Sequence, residues 1–84
     1  MKRYINPENE RNQFLVRETL NGYAIQVLNT NNGVTAALTP QVAAMLQVRL
    51  PDTPLAHSCA LGTAERYLDK CAALNGWVPV ETQE

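Results

Sequence analysis

The sequence has few of the residues that build metal and nucleophilic sites. It contains one histidine, two cysteines and four glycines among 84 residues. The glycines form no phosphate-binding loop, and no two acidic residues fall on one predicted face, as acid–base catalysis would need. The composition therefore predicts a protein that is not an enzyme.

A strong charge of one sign and long apolar runs are also missing. The net charge is −1 at pH 7, whereas nucleic-acid-binding domains typically carry a clear basic excess. The apolar stretches fall far short of the roughly 18 residues of a membrane span. No apolar run follows Lys2 and Arg3, as it would in a secretory signal. We therefore expect a cytoplasmic protein with no membrane partner.

Three potential metal ligands, His57, Cys59 and Cys71, are poorly spaced for a shared ion. Helix residues two positions apart, such as His57 and Cys59, point to different sides. If Cys59 and Cys71 lie on one helix, a rise of about 1.5 Å per residue places them roughly 18 Å apart. The sequence therefore predicts free thiols, no metal and no cofactor.

Two Asn-Gly dipeptides, Asn21-Gly22 and Asn32-Gly33, each lie between apolar segments. Asn-Gly favours the two-residue type I′ hairpin turn, because both central residues take positive φ. Two such turns predict a three-stranded antiparallel meander over residues 13–39, within one domain that spans residues 1–84.

The predicted register divides the meander into two faces. With Asn21-Gly22 as the first loop, Val16 pairs with Val27, and with Asn32-Gly33 as the second, Leu38 pairs with Val27. The more apolar face is expected to pack under helices and carries Phe14, Val16, Leu20, Tyr23, Ile25, Val27, Val34, Ala36 and Leu38. The second face carries Leu15, Arg17, Thr19, Ala24, Gln26, Leu28, Thr35 and Ala37.

A first helix is predicted over residues 40–50. Thr39 is a good N-cap, and Pro40 suits the first helical position. Pro51 disfavours helical geometry in the residue before it and marks the end. Its apolar stripe is Val42, Met45, Leu46 and Leu50.

A second helix is predicted over residues 54–75. Apolar residues recur at helical spacing up to Asn75, and Gly76 supplies a C-terminal stop. A break near Gly62, with Thr63 as a new N-cap, is the alternative to one continuous helix.

The two ends of the chain are predicted to differ, with an irregular N-terminal segment and an extended C-terminal one. Residues 1–12 are polar, and Asn6-Pro7 could cap a single helical turn that runs through Glu10. Residues 77–84 are expected to form an extended tail at a sheet edge, where Pro79 is permitted.

The predicted core combines the meander's apolar face with both helices, and Trp77 is expected to cover its edge. Its members are Phe14, Val16, Leu20, Tyr23, Ile25, Val27, Leu38, Val42, Leu46, Leu50, Tyr67, Leu68 and Cys71. The fold class is therefore α+β, with a three-stranded antiparallel β-meander followed by two α-helices packed on one face of the sheet.

Three surfaces are candidate binding sites. The first is the second sheet face, where apolar residues lie among polar ones, as at protein interaction sites; its proposed partner-binding residues are Leu15, Arg17, Gln26, Leu28 and Thr35. The second is an N-terminal basic cluster that could contact nucleic acid, namely Lys2, Arg3, Arg11 and Arg17. The third is a small-residue stripe on the second helix, Ala56, Ala60 and Ala64, which could pack inside the chain or against a second copy in a homodimer.

The leading functional hypothesis is a small binding protein that regulates or inhibits a larger protein or complex by surface complementarity. Proteins encoded by phages and mobile elements, including inhibitors of host defence, commonly have this size, and the comparison is one of analogy. The alternatives are a nucleic-acid-binding regulator that uses the basic N-terminus and a small accessory subunit of an assembly.

Overall fold

A computed structural model describes residues 3–52 and 59–80 of the chain. Over those residues the elements are β1 (Arg3–Asn6), β2 (Asn9–Thr19), β3 (Gly22–Asn29), β4 (Thr35–Ala37), α1 (Pro40–Leu46), α2 (Leu61–Asn75) and β5 (Val78–Pro79). The strands form one antiparallel sheet in the order β4-β3-β2-β1-β5. The α+β class is confirmed, and the predicted meander forms three strands of a larger, five-stranded sheet.

The N-terminal segment is a strand, so the prediction of an irregular stretch with one helical turn is wrong. Tyr4 pairs with Phe14, and Ile5 pairs with Gln13 of β2. The Asn6 side-chain oxygen accepts a hydrogen bond from the Glu8 backbone N–H at 2.9 Å. Asn6-Pro7 therefore starts a turn between two strands, a role that Asn before Pro also favours.

The first hairpin turns one residue earlier than predicted. Thr19 pairs with Gly22, so Leu20 and Asn21 form the loop, and Val16 pairs with Ile25 instead of Val27. The register is shifted by two residues, and an even shift leaves every strand side chain on its predicted face. Leu20 was wrongly predicted in the core, since as a turn residue it is fully exposed.

The position of Gly22 explains this shift. The next residue, Tyr23, exchanges two backbone hydrogen bonds with Cys59, at 2.9 and 3.1 Å. Gly22 has φ +144°, and a Cβ there would lie 2.8 Å from the Cys59 carbonyl oxygen. Glycine is thus needed at this position because another backbone passes close to it. The turn itself is made by Leu20 and Asn21.

The second hairpin has a four-residue loop instead of the predicted two. Asn29 accepts from the Gly33 N–H at 2.8 Å and donates to the Val34 carbonyl at 2.9 Å. Val27 consequently pairs with Ala36 and not with Leu38. Because β4 is a short edge strand, Val34 and Ala36 are exposed on the face where burial was predicted.

Helix α1 begins as predicted and ends earlier. The Thr39 side chain accepts a hydrogen bond from the Val42 backbone N–H at 3.2 Å, and Pro40 occupies the first turn. The helix ends at Leu46, before residues 47–50 of the predicted span. Met45 is exposed, so the predicted apolar stripe does not hold there.

An asparagine of α2 holds the segment that follows α1. The Asn75 side-chain amide accepts from the Arg49 backbone N–H and donates to the Arg49 carbonyl, both at 2.8 Å. It also donates to the Cys71 carbonyl at 2.8 Å. Helix α1 is capped by Gln47, which has a left-handed backbone with φ 59°, and this two-way clamp then holds Arg49 in a non-helical position.

Helix α2 starts at Leu61, with Ala60 as the N-cap residue, and ends at a left-handed Gly76 with φ 70°. The glycine stop was predicted. The prediction is wrong for residues 59 and 60, which precede the helix, and its residues 54–58 lie outside the described part of the chain. Cys59 forms an isolated bridge with Tyr23, so Cys59 and Cys71 do not share a helix.

The core lies between one face of the sheet and α2. Its fully buried members include Phe14 and Val16 of β2 and Leu68 and Cys71 of α2. Trp77 was expected at the edge and instead belongs to this cluster, with its ring stacked on Phe14 at 3.7 Å between centroids. The rest of the buried cluster is Ile25, Val27, Ala64 and Ala72.

Candidate functional site

The face of the sheet opposite α2 is the candidate site, and we call it the open face. Strand pairing places Ile5, Gln13, Leu28 and Thr35 in one row across four strands. A second row contains Arg3, Leu15, Gln26 and Ala37. Arg17 and Ala24 form a third row, and Val78 of β5 extends the first beyond Ile5. The rows bring aliphatic and polar side chains into one continuous surface.

None of the described helices covers the open face. Helix α2 contacts β2 and β3 on the other face, where Phe14 and Val27 are buried beneath it. Ile5, Leu15 and Leu28 are only half-buried and do not belong to the group of side chains packed on that core. An antiparallel sheet commonly leaves one face to water or to a partner, and this sheet has that arrangement.

Leu15 is the centre of the open face. Its nearest neighbours on that face are Gln13 and Arg17 along β2, Arg3 across β1 and Gln26 across β3. We call Leu15 and these four neighbours the Leu15 frame. Each arginine in it is held by a glutamine: Arg3 Nη1 donates to Gln13 Oε1 at 3.0 Å, and Arg17 Nη1 donates to Gln26 Oε1 at 3.4 Å.

The two hydrogen bonds place the guanidinium groups on opposite sides of Leu15. Arg3 reaches toward Gln13 on the β1 side, and Arg17 reaches toward Gln26 on the β3 side. Each guanidinium has five N–H donors and uses one in its bond to glutamine, which orients the planar group and leaves other donors for a ligand. The frame is thus an aliphatic centre between two cations.

All five residues predicted to bind a partner lie on the open face. Leu15 pairs with Gln26, and Leu28 pairs with Thr35. These neighbours differ from the predicted pairs, Arg17 with Gln26 and Leu15 with Leu28, because the register is shifted by two residues. Arg17 keeps its contact with Gln26 through a side-chain hydrogen bond along the diagonal.

The predicted basic cluster is spread along the open face. Arg3 and Arg17 belong to the Leu15 frame. Arg11 lies on the same face by strand alternation but is exposed near the other end of β2, where its carbonyl accepts from the Thr30 backbone N–H at 2.8 Å. Lys2 lies outside the described residues. Tyr4, on the core face with Phe14, donates its hydroxyl to Asp69 of α2 at 2.6 Å.

The predicted dimer stripe is not available as a helix surface. Ala64 is fully buried in the chain's own core, and Ala60 is the residue that precedes α2. Ala56 lies outside the part of the chain that the structure describes. The small side chain of Ala64 instead lets α2 approach the sheet of the same chain closely, as the intramolecular alternative predicted.

The two thiols differ in environment. Burial raises the pKa of Cys71 to about 11, which keeps the thiol protonated and unreactive near neutral pH. Cys59 is half-buried, and its Sγ lies 3.5 Å from the Tyr23 carbonyl oxygen. Within residues 3–52 and 59–80, no group of three or more His, Cys, Asp or Glu side chains could hold a metal ion. His57 lies outside those ranges.

A separate groove lies between α2 and the segment after α1. It has a volume of about 390 Å³ and is lined by Leu50, Pro51, Asp52, Lys70, Ala73 and Leu74. Its described wall ends at Asp52, whereas the open face is defined by paired strands. The open face is therefore the surface on which a site can be specified residue by residue.

Sequence reasoning missed Ile5, Gln13 and Val78 as members of this surface. The missing information was the pairing of β1 with β2 and with β5. The alternation of Arg3, Tyr4 and Ile5 is a weak strand signal, and four residues are too few to separate it from a turn. Tyr4 faces the core and Ile5 the open face, as alternation in a strand requires.

No protein-family model, curated protein or solved structure matches the chain. Among the helices that the structure describes, none is long and apolar enough to cross a membrane.

Proposed function

We propose that the chain is a non-enzymatic binding protein that regulates or inhibits a larger protein or complex by docking its open face. The observation that carries this proposal is the Leu15 frame: a half-buried aliphatic centre, surrounded by oriented polar groups and covered by no described element. An apolar centre with a polar rim is the usual organisation of a protein interface.

The class we propose includes inhibitors that phages and mobile elements direct against host defence. The size of the chain and a flat sheet surface support that class, because a flat surface suits contact with a protein better than enclosure of a small molecule.

The experiment that tests the proposal is an affinity pull-down from lysate of the source organism or its host, with and without nuclease. Leu15→Arg and Leu28→Arg should each abolish capture of a stoichiometric protein partner, because each places a charge in the apolar part of the face. Met45→Arg is the matched control, since Met45 is an exposed apolar residue on α1.

All three variants should keep the circular dichroism spectrum and urea midpoint of the wild type within small changes. Capture that survives both open-face substitutions, or that Met45→Arg removes equally, would contradict the proposal.

Nucleic-acid binding is the second candidate, and the shared face of Arg3 and Arg17 favours it. The aromatic side chains point the other way: Phe14 and Trp77 are stacked in the core. Single-stranded nucleic acid is usually held by bases stacked on aromatic rings, so the aliphatic open face suits a protein better. Binding of labelled duplex or single strands at low salt, measured by fluorescence anisotropy, would support this second candidate.

A further inference from the structure

We infer that the open face binds a protein segment in which an aliphatic side chain is flanked on both sides by carboxylates. This inference rests on the proposed function and specifies the chemistry of the partner. It is carried by the charges of the Leu15 frame and by their placement around Leu15.

The charge of the open face differs in sign from that of the whole chain. The net charge of the protein is −1, with eight acidic residues. The open-face residues on the five strands include Arg3, Arg11 and Arg17 and no acidic residue. A partner that covers the Leu15 frame must compensate the guanidinium groups of Arg3 and Arg17, because an uncompensated charge at a desolvated interface is unfavourable.

The donor geometry of the two arginines suits carboxylates in particular. A guanidinium presents paired N–H donors that match a carboxylate in two-point contact. Gln13 holds the Arg3 guanidinium in place before the partner arrives, which lowers the entropy lost on binding, whereas Arg17 lies 3.4 Å from Gln26 and is held more weakly. The bond from Arg3 to Gln13, at 3.0 Å, is the better formed of the two.

The spacing of the frame selects the sequence pattern of the partner. Arg3 lies across from Leu15 on β1 and its guanidinium leans toward Gln13, whereas Arg17 lies two residues along β2 and its guanidinium leans toward Gln26. The line between the two guanidinium groups therefore crosses the strands diagonally, with Leu15 near its middle. In an extended segment, residues i−2, i and i+2 share one face and lie in a straight line, about 7 Å apart. A segment with the pattern Glu-x-Leu-x-Glu that lies along this diagonal therefore places leucine over Leu15 and one carboxylate near each arginine.

The test uses three capped heptapeptides with the central sequences Glu-Thr-Leu-Thr-Glu, Gln-Thr-Leu-Thr-Gln and Lys-Thr-Leu-Thr-Lys. Each is titrated to millimolar concentration into the full ¹⁵N-labelled chain, and amide shifts are followed by NMR. We expect the glutamate peptide to shift the amides of Gln13, Leu15 and Gln26, and the lysine peptide to leave them unchanged.

Charge removal tests the role of the arginines. The double variant Arg3→Gln with Arg17→Gln should weaken binding of the glutamate peptide by about tenfold, as expected for two exposed ion pairs. Arg66→Gln, on the exposed side of α2, is the matched control and should leave the affinity unchanged.

Several results would overturn the inference. These are shifts of equal size with the glutamate and lysine peptides, no shift at the frame with any peptide, and an unchanged affinity in the double variant. Tighter binding of a single-stranded RNA 12-mer than of the glutamate peptide would assign the arginines to phosphates instead.

The inference and the proposed function can fail separately. If a captured protein partner is lost with Leu15→Arg but kept by the double arginine variant, the open face is an interface and the partner is not acidic. If capture is independent of Leu15 and Leu28, the proposed function itself fails.

Discussion

The two faces of the sheet are built from alternate residues of the same strands and differ in almost every physical property. On β2, Phe14 and Val16 are buried and touch α2, whereas Leu15 and Arg17 between them face outward. The core face holds the stacked aromatic rings, and the open face holds aliphatic side chains with arginine and glutamine. The alternation of a single strand thus separates the core residues from the surface proposed to bind a partner.

Because the two faces are separate, the open-face leucines are not needed to fill the core. Their apolar surface contributes little to folding, since no described element packs on it. A side chain that contributes little to stability can be changed with little cost, so binding and folding can be tested independently in this protein.

Phe14 and Leu15 provide the most direct test of the contrast. Phe14→Ala should lower the free energy of unfolding by about 3–5 kcal/mol, because it leaves a cavity and removes the ring stacked on Trp77. Leu15→Ala should lower it by less than about 1 kcal/mol. Urea denaturation followed by circular dichroism gives both values, and equal losses would show that the open face also supports the fold.

Gly22 and Gly33, at the two hairpins, compare a glycine that another backbone passes closely with one in open space. Gly22→Ala should cost about 2–3 kcal/mol, because the new Cβ meets the Cys59 backbone at 2.8 Å. Gly33 has φ 72° and open space around it, so Gly33→Ala should cost only about 1 kcal/mol. The same urea titration measures both, and a larger loss at Gly33 would contradict the close passage at Gly22.

Asn75 tests how the segment after α1 is held against α2. Asn75→Ala removes three hydrogen bonds, two of them to the Arg49 backbone. We expect a loss of about 1–2 kcal/mol, because these groups are partly exposed and water can replace the amide. Hydrogen exchange at the Arg49 amide should become faster, while exchange at Leu15 should not change.

The pH dependence of stability should report on the core side alone. The folded-state pKa of Cys71, about 11, lies above its usual value of 9.0 because the thiol is buried. The unfolded chain therefore loses its thiol proton first, so stability should be complete below pH 9 and decline as the pH rises toward 11. Burial also raises the pKa of Tyr67, with a smaller contribution from Cys71.

Urea midpoints between pH 8 and 11 measure this decline. Cys71→Ala should make the midpoint less dependent on pH, whatever its effect on absolute stability. Cys59→Ala is the matched control, and the same reduction there would contradict the assignment to Cys71.

The sequence predicted the sheet face on which each side chain lies better than it predicted the cross-strand neighbours. Both hairpin errors were shifts of two residues, and a shift by an even number of residues does not move a side chain to the other face. The predicted face therefore still holds Phe14, Val16, Ile25 and Val27. The cross-strand neighbours within the candidate site therefore changed, while the five residues predicted to bind a partner stayed on one face.

Several of the other errors arise from contact between distant segments. Gly22 has its role because of Cys59, and Arg49, predicted to be helical, is held outside α1 by Asn75. Strand β1 forms because β2 and β5 pair with it on both sides. Local turn and helix propensities contain no information about such contacts.

The pairing of β5 with β1 also has a consequence during synthesis on the ribosome. Val80 donates its backbone N–H to the Arg3 carbonyl at 2.9 Å, so β1 is completed by a segment that is made after all the other described strands and both helices. Until that late segment emerges, the outer edge of β1 has unpaired backbone groups, which invite pairing with other chains. Closing so long a loop is also entropically slow. A nascent chain should therefore be prone to association at this edge until β5 has emerged and paired with β1.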